Sequence, residues 1–405
     1  MARSDRIAEP LPESLPLISF GFRPFFLMAA IFSPLAILIW LGVFSGIVAP
    51  VSDYPPNLWH GHEMLFGYAV AVLSGFFLTA VPNWTGAQPI RGRKLAALCV
   101  LWLAGRIAIW SVPPCPPALA AAIDLLFLPA LAIAILPALR QAPPRNRMFL
   151  VILGLLTAAN LLFHLDALGI AHTGSAGVLL GVDLFALLIS IIGGRVTPAF
   201  TANALKLRFE AKNLPVPEIH SRTLLDRASM LSVALVALCD LAVPNDLVLG
   251  LLSLAAAALN GWRLAGWQTR HVLYEPLLWA MHLGYAWLVI GLAVKGWAAL
   301  TGFLPSSIAI HGITIGAIGT MTLAVMSRAS LGHTGRKLAA GRTLAVAYGL
   351  VSAAALARLF LPSTFPSNCI VSVVIAGGLW VVAFVAFATI FVPILTGPRI
   401  DQKPG

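Results

Sequence analysis

Residues 58–97 read LWHGHEMLFGYAVAVLSGFFLTAVPNWTGAQPIRGRKLAA. Between Leu58 and Val81 the only formal charge is Glu63, so the run can cross a hydrocarbon core, which takes about 20 apolar residues as a helix. It breaks at Pro82, Gly86 and Pro89 and then meets Arg91, Arg93 and Lys94. An apolar run closed by a basic turn is the pattern of a span that ends on the cytoplasmic side.

Working outward, the same punctuation delimits twelve segments: 24–48, 58–81, 94–112, 117–138, 148–169, 176–196, 224–243, 246–266, 276–299, 306–329, 339–361 and 369–396. SVPPCPP separates the third from the fourth, and VPND the seventh from the eighth, connections so short that the neighbours must be antiparallel. Of 405 residues, 59% are hydrophobic and 10% charged, against about 25% charged in ordinary soluble domains, which excludes a single water-soluble core. The expected fold is an all-α polytopic membrane protein forming one transmembrane domain over residues 1–405. A short segment, 1–20, precedes the helices of 24–396, and a tail of 397–405 follows them. The first twenty residues are polar and proline-rich, without the apolar stretch of a cleaved signal peptide.

Placement of the basic residues tests the count. Twenty-three of 26 lie before the first segment, in alternate links and the segment ends that border them, or after the last, while the intervening links carry none. That alternation puts both termini in the cytoplasm. It also explains the net charge of +11 without a nucleic-acid partner. The three exceptions, Arg106, Lys295 and Arg358, fall inside segments, where a charge is costly and faces a partner, a cavity or the interface. The four cysteines are scattered without C-x-x-C spacing and are read as unpaired. GRKLAA recurs at Gly92–Ala97 and Gly335–Ala340, and His-Gly at His60–Gly61 and His311–Gly312. With Gly194–Arg195 after the sixth segment, this sketches three units of four helices, a repeat that resembles the main subunits of haem–copper oxidases.

Six of nine histidines sit in or against the membrane: His60, His62, His164, His282, His311 and His333. His60, His62, His164 and His311 fall at similar outer depths on three segments. Imidazole is a common ligand of haem iron and copper, so this convergence points to a metal or haem site. Isolated interhelical hydrogen bonds are the plainer alternative. At 3.6 residues per turn His60 and His62 project about 200° apart and should serve two different faces. Glu63 shares the face of His60 as a supporting partner, with Met64 at i+4. The Leu65 and Phe66 that follow His62 suggest an apolar wall for a haem plane. His62→Ala is therefore expected to remove haem, and His60→Ala the second metal, with Glu63→Gln a mild form of the latter. Asn160 lies one turn before His164, Asp183 is an intramembrane acid suited to pairing or a proton path, and Tyr285 shares a face with His282. Walker, G-x-S-x-G, H-E-x-x-H and C-x-x-C-H signatures are absent.

At Trp59–Gly86 the chain resembles the NnrS family of bacterial inner-membrane proteins associated with nitric oxide metabolism. SFGFRPFFLMAA (Ser19–Ala30), GGRVTPAFT (Gly193–Thr201), WAMHLGYAW (Trp279–Trp287) and RASLGHTGR (Arg328–Arg336) agree with it. The resemblance implies a non-covalent, b-type haem together with copper, a role in resistance to nitrosative stress, and nitric oxide or a related small molecule as partner, with an electron donor it does not specify. Candidates for the haem are His62, His164, His311, Arg106 and Arg358. Metal candidates are His60, His62, Glu63, His164, His282, His311 and His333. A competing class is a proton-coupled transporter of metal or small molecules that uses the same histidines and Asp183. Reporter fusions after residues 55, 115, 173, 303 and 365 should read out on the outer side, because those links lack Lys and Arg. Cytoplasmic signals at two or more would overturn the twelve-span reading.

Overall fold

In the computed structural model, residues 15–243, 245–364 and 369–401 are described. Arg3, Arg6, Lys403 and the fusion point at 365 lie outside them. Among the described residues about 80% are helical and no strand occurs, as an apolar environment demands when every backbone N–H and C=O must be satisfied within its own segment. Twelve helices follow in order: α1 Phe22–Phe44, α2 Pro56–Thr85, α3 Arg93–Trp110, α4 Pro117–Arg140, α5 Pro144–Ala167 and α6 Gly174–Glu210. Then come α7 Thr223–Ala242, α8 Asp246–Ala265, α9 Pro276–Thr301, α10 Ser306–His333, α11 Arg342–Thr364 and α12 Cys369–Thr396.

The protein is thus an all-α, multi-pass membrane protein. Ten of the twelve helices are long and apolar enough to cross a bilayer. The other two, α3 and α7, each carry three charged residues, some of which are paired inside the bundle. The clearest departure from the expected boundaries is α6, which runs on from 196 to Glu210. Hydropathy falls there, but hydrogen bonding along a helix does not need apolar side chains. Thr197, Thr201 and Leu205 keep one face of the extension buried against the bundle.

Each helix packs on the next, and α12 returns to α1, closing a ring. Arg23, read from the sequence as a topological charge, fastens that closure. It is fully buried, and its Nη1 donates to the carbonyls of Leu395 at 3.0 Å and Gly397 at 2.6 Å. Through the middle, α2, α6 and α10 touch one another. These three helices, four apart in sequence, each contain a π-helical stretch: Glu63–Ala69, Ile189–Gly193 and Gly312–Gly319. Such stretches are rare and shift the direction of the side chains beyond them. They fall on the same three helices that the sequence echoes align, the second, sixth and tenth.

Small residues set how closely the central helices approach. A Cβ built on Gly291 of α9 would stand 2.8 Å from the backbone of Gly312 and Ile313 in α10. Gly349 of α11 has nothing within 4 Å of its would-be Cβ. Gly291→Leu should therefore destabilise the detergent-solubilised protein by about 1–3 kcal/mol through overpacking, whereas Gly349→Ala should be neutral or stabilising by less than about 1 kcal/mol. Thermal unfolding of both variants measures this, and equal transitions would contradict the α9–α10 contact.

Candidate functional site

The helix-2 histidines do face opposite ways, and each opens onto a different environment. On one side His62 is fully buried and stacks on Phe163, with ring centroids 4.2 Å apart. Its Nδ1 lies 2.8 Å from Glu63 Oε1, and its Nε2 lies 2.9 Å from Asn160 Oδ1 and 3.2 Å from Asp124 Oδ2. Asp124 Oδ2 also meets His164 Nε2 at 3.0 Å and accepts from Asn160 Nδ2 at 2.7 Å. The Arg106 guanidinium forks between Glu63 Oε1 and Asp124 Oδ1. Trp110 Nε1 donates to the other Glu63 oxygen at 2.5 Å. Helices α2, α3, α4 and α5 thus each supply a member, and the donor atoms of His62, Asp124 and His164 lie within 4.8 Å of one another. The field of the cluster reaches the link before α2: burial, and then the negative charge of Asp124, push the Tyr54 phenol up to about 12.

On the other side His60 stacks on Trp40, with centroids 4.5 Å apart and planes within 13°. Together with His311 of α10 it lines a cavity of about 520 Å³. Trp40, Phe44, Tyr68 and Trp380 form much of the wall, and Met64 reaches it as well. Ser175, Ser306 and Ser307 border it at the ends of α6 and α10 remote from the basic links. Arg358 of α11 also faces this space; its Nη1 is buried without a partner, and among the described residues no carboxylate pairs with it. Likewise, no side chain of the described residues hydrogen-bonds to either ring. An apolar chamber with two imidazoles and an unanswered cation has the donor set for a flat, mostly apolar ligand that carries carboxylates.

The NnrS family model matches residues 16–399, nearly the whole chain. This chain belongs to the NnrS family. None of the curated proteins matches its sequence.

Several expectations for this NnrS chain need correction. His60, His62, His164 and His311 do not converge on one site; the 200° offset divides them, with His62 and His164 in the polar cluster and His60 and His311 at the cavity. Glu63 supports His62, not His60, because its carboxylate turns toward Arg106 at the start of the π-helical stretch. The wall beside His62 is filled by Phe163 and polar partners, leaving no room there for a large ligand. Arg106 is held by two carboxylates and is not free for another anion. Of the alternatives left open for Lys295, the structure shows a partner: it donates to Asp183 at 2.7 Å and contacts Asp240, so Asp183 is one of two carboxylates sharing a buried cation. His282 and His333 stand apart from both sites. His282 bonds Thr201 at 2.8 Å and Thr269 at 2.9 Å, and His333 packs against the ring of Phe22. Arg263, counted from the sequence with the basic residues bordering the link between α8 and α9, is buried and donates to Asp226, Tyr285 and the Ser190 carbonyl.

Asp124 was not anticipated. Its signal was present, since it is the single acid within the apolar run 117–138, the same criterion that singled out Asp183. Removing the positive charge from its cluster leaves two buried carboxylates uncompensated. Arg106→Gln should therefore cost about 3–5 kcal/mol, seen as a lowered thermal transition and reduced accumulation in membranes. A variant as stable as the parent would show that the ion pairs do not form.

Proposed function

We propose that this NnrS protein binds haem b in the cavity between α2 and α10 and handles nitric oxide in the bacterial inner membrane, with both termini and the basic links cytoplasmic. The observation that carries the reading is the half-buried Arg358, with its Nη1 buried and unpartnered, beside two imidazoles on one apolar cavity. A volume of about 520 Å³ falls within the roughly 300–1,000 Å³ of sites that enclose a cofactor-sized ligand. His60 and His311, from the two histidine-bearing central helices, are the residues that would hold the iron. Trp40, Trp380 and the aliphatic wall suit the macrocycle, and Arg358 suits a propionate, whose charge needs a cationic partner in a low-dielectric setting. Among the described residues no cysteine lines the cavity, in keeping with a non-covalent haem.

When bound there, ferrous haem would supply a direct ligand site for nitric oxide. The chain's own contribution is to orient the ring between α2 and α10, exclude water with aromatic side chains, and balance charge through Arg358. Ser175, Ser306 and Ser307 border the cavity at the ends of α6 and α10 remote from the basic links, on the side that this reading takes as the outer one. Asp183, the candidate proton site of the transporter reading, is ion-paired with Lys295.

The purified protein should show a Soret band that shifts when nitric oxide is added to the reduced form. His60→Ala and His311→Ala should each abolish or strongly weaken haem binding, and Arg358→Gln should lower haem retention. His62→Ala should keep the Soret band, the reverse of the sequence-based expectation. A colourless but monodisperse preparation from haem-replete cells would defeat the reading.

A further inference from the structure

We propose that His62, Asp124 and His164 form a second metal centre, separate from the cavity, that takes one first-row transition-metal ion of the kind that accepts imidazole and carboxylate together. The geometry comes first. Two imidazole nitrogens and one carboxylate oxygen, drawn from α2, α4 and α5, lie within 4.8 Å of one another and are all buried. Separate interhelical hydrogen bonds would not require three helices to aim their donor atoms at one point. This N₂O set suits copper, iron or zinc, whereas magnesium and calcium favour all-oxygen sites.

The surroundings fit the same conclusion. A metal-bound histidine commonly gives its other ring nitrogen to a carboxylate that fixes its orientation. His62 does so, with Nδ1 2.8 Å from Glu63, which is itself held by Arg106 and Trp110. Every polar partner of the His62 ring is an acceptor: Glu63 Oε1, Asn160 Oδ1 and Asp124 Oδ2. His164 Nε2 points at the same Asp124 oxygen, and its Nδ1 is buried without a partner. An acceptor-rich focus of this kind calls for a cation. The charges agree, because Glu63 and Asp124 bring two negative charges and Arg106 answers only one of them.

The centre is independent of the haem proposal, since it shares no residue with the cavity. Metal analysis of the purified full-length protein, corrected for haem iron, should find close to one transition-metal ion per chain. His164→Ala and Asp124→Asn should reduce it at least tenfold, and Glu63→Gln should weaken retention roughly 10–100-fold as a supporting partner. His60→Ala should leave this metal in place while losing haem. Cobalt(II) added to chelator-treated protein should give visible d–d bands that His164→Ala lacks. If Asp124→Asn does not accumulate, His164→Ala carries the test, because it removes a side chain bonded only to Asp124. Two outcomes overturn the proposal: no non-haem metal together with no cobalt uptake, or full metal content in monodisperse His164→Ala. Either would identify the cluster as a network held together by a proton. A metal-bearing but colourless protein would instead count against haem alone.

Discussion

Arginine cannot shed its proton in a protein, so a guanidinium inside an apolar bundle must be met by negative charge or by dense hydrogen bonding. Arg106 meets that demand by forking between Glu63 and Asp124, and the first four-helix unit is organised around it. Its two carboxylates fix the faces of α2 and α4. Those in turn hold His62 and draw in Asn160 and His164 from α5. The α3 helix, too charged to read as an ordinary span, is explained by the same fork.

The rule distinguishes the three intramembrane cations. Arg106 has two carboxylates, and Lys295 has Asp183 and Asp240. Arg358, in the third unit, has none among the described residues and faces the large cavity. Two of the three cations are thus neutralised within the bundle. The third is left without a counter-charge, and it is there that an anionic ligand would complete the structure. The unpaired member of an otherwise paired set is a stronger indicator of a binding site than cavity size alone.

Helix α2 joins the two regions. His60 and His62 are separated only by Gly61, yet one borders the cavity and the other the polar cluster. Helical geometry makes this unavoidable, since two residues advance by about 200° around the axis. A Cβ on Gly61 would stand 2.9 Å from Val178 of α6, so glycine lets the central helices meet at this level. The π-helical stretch that begins at Glu63 then redirects the residues below, including Tyr68 at the cavity and Phe66 beside His62.

By itself the sequence determined the all-α class, the positions of the twelve helices and the division of His60 from His62. Those properties depend on the length of apolar runs and on the period of the helix, both of which are local. It also marked Arg106 as buried, because a charge in mid-span has few alternatives. What only the tertiary structure decided was partnership: that Asp124 joins His62 and His164, that Lys295 lies between Asp183 and Asp240, that Glu63 turns to His62, and that the open space lies beside His60. Such pairings depend on the rotation of each helix about its axis and on which helices become neighbours. Those are set by packing at Gly291, Gly312 and Gly61 and by the π-helical stretches, whose effect on side-chain direction no 3.6-residue projection contains.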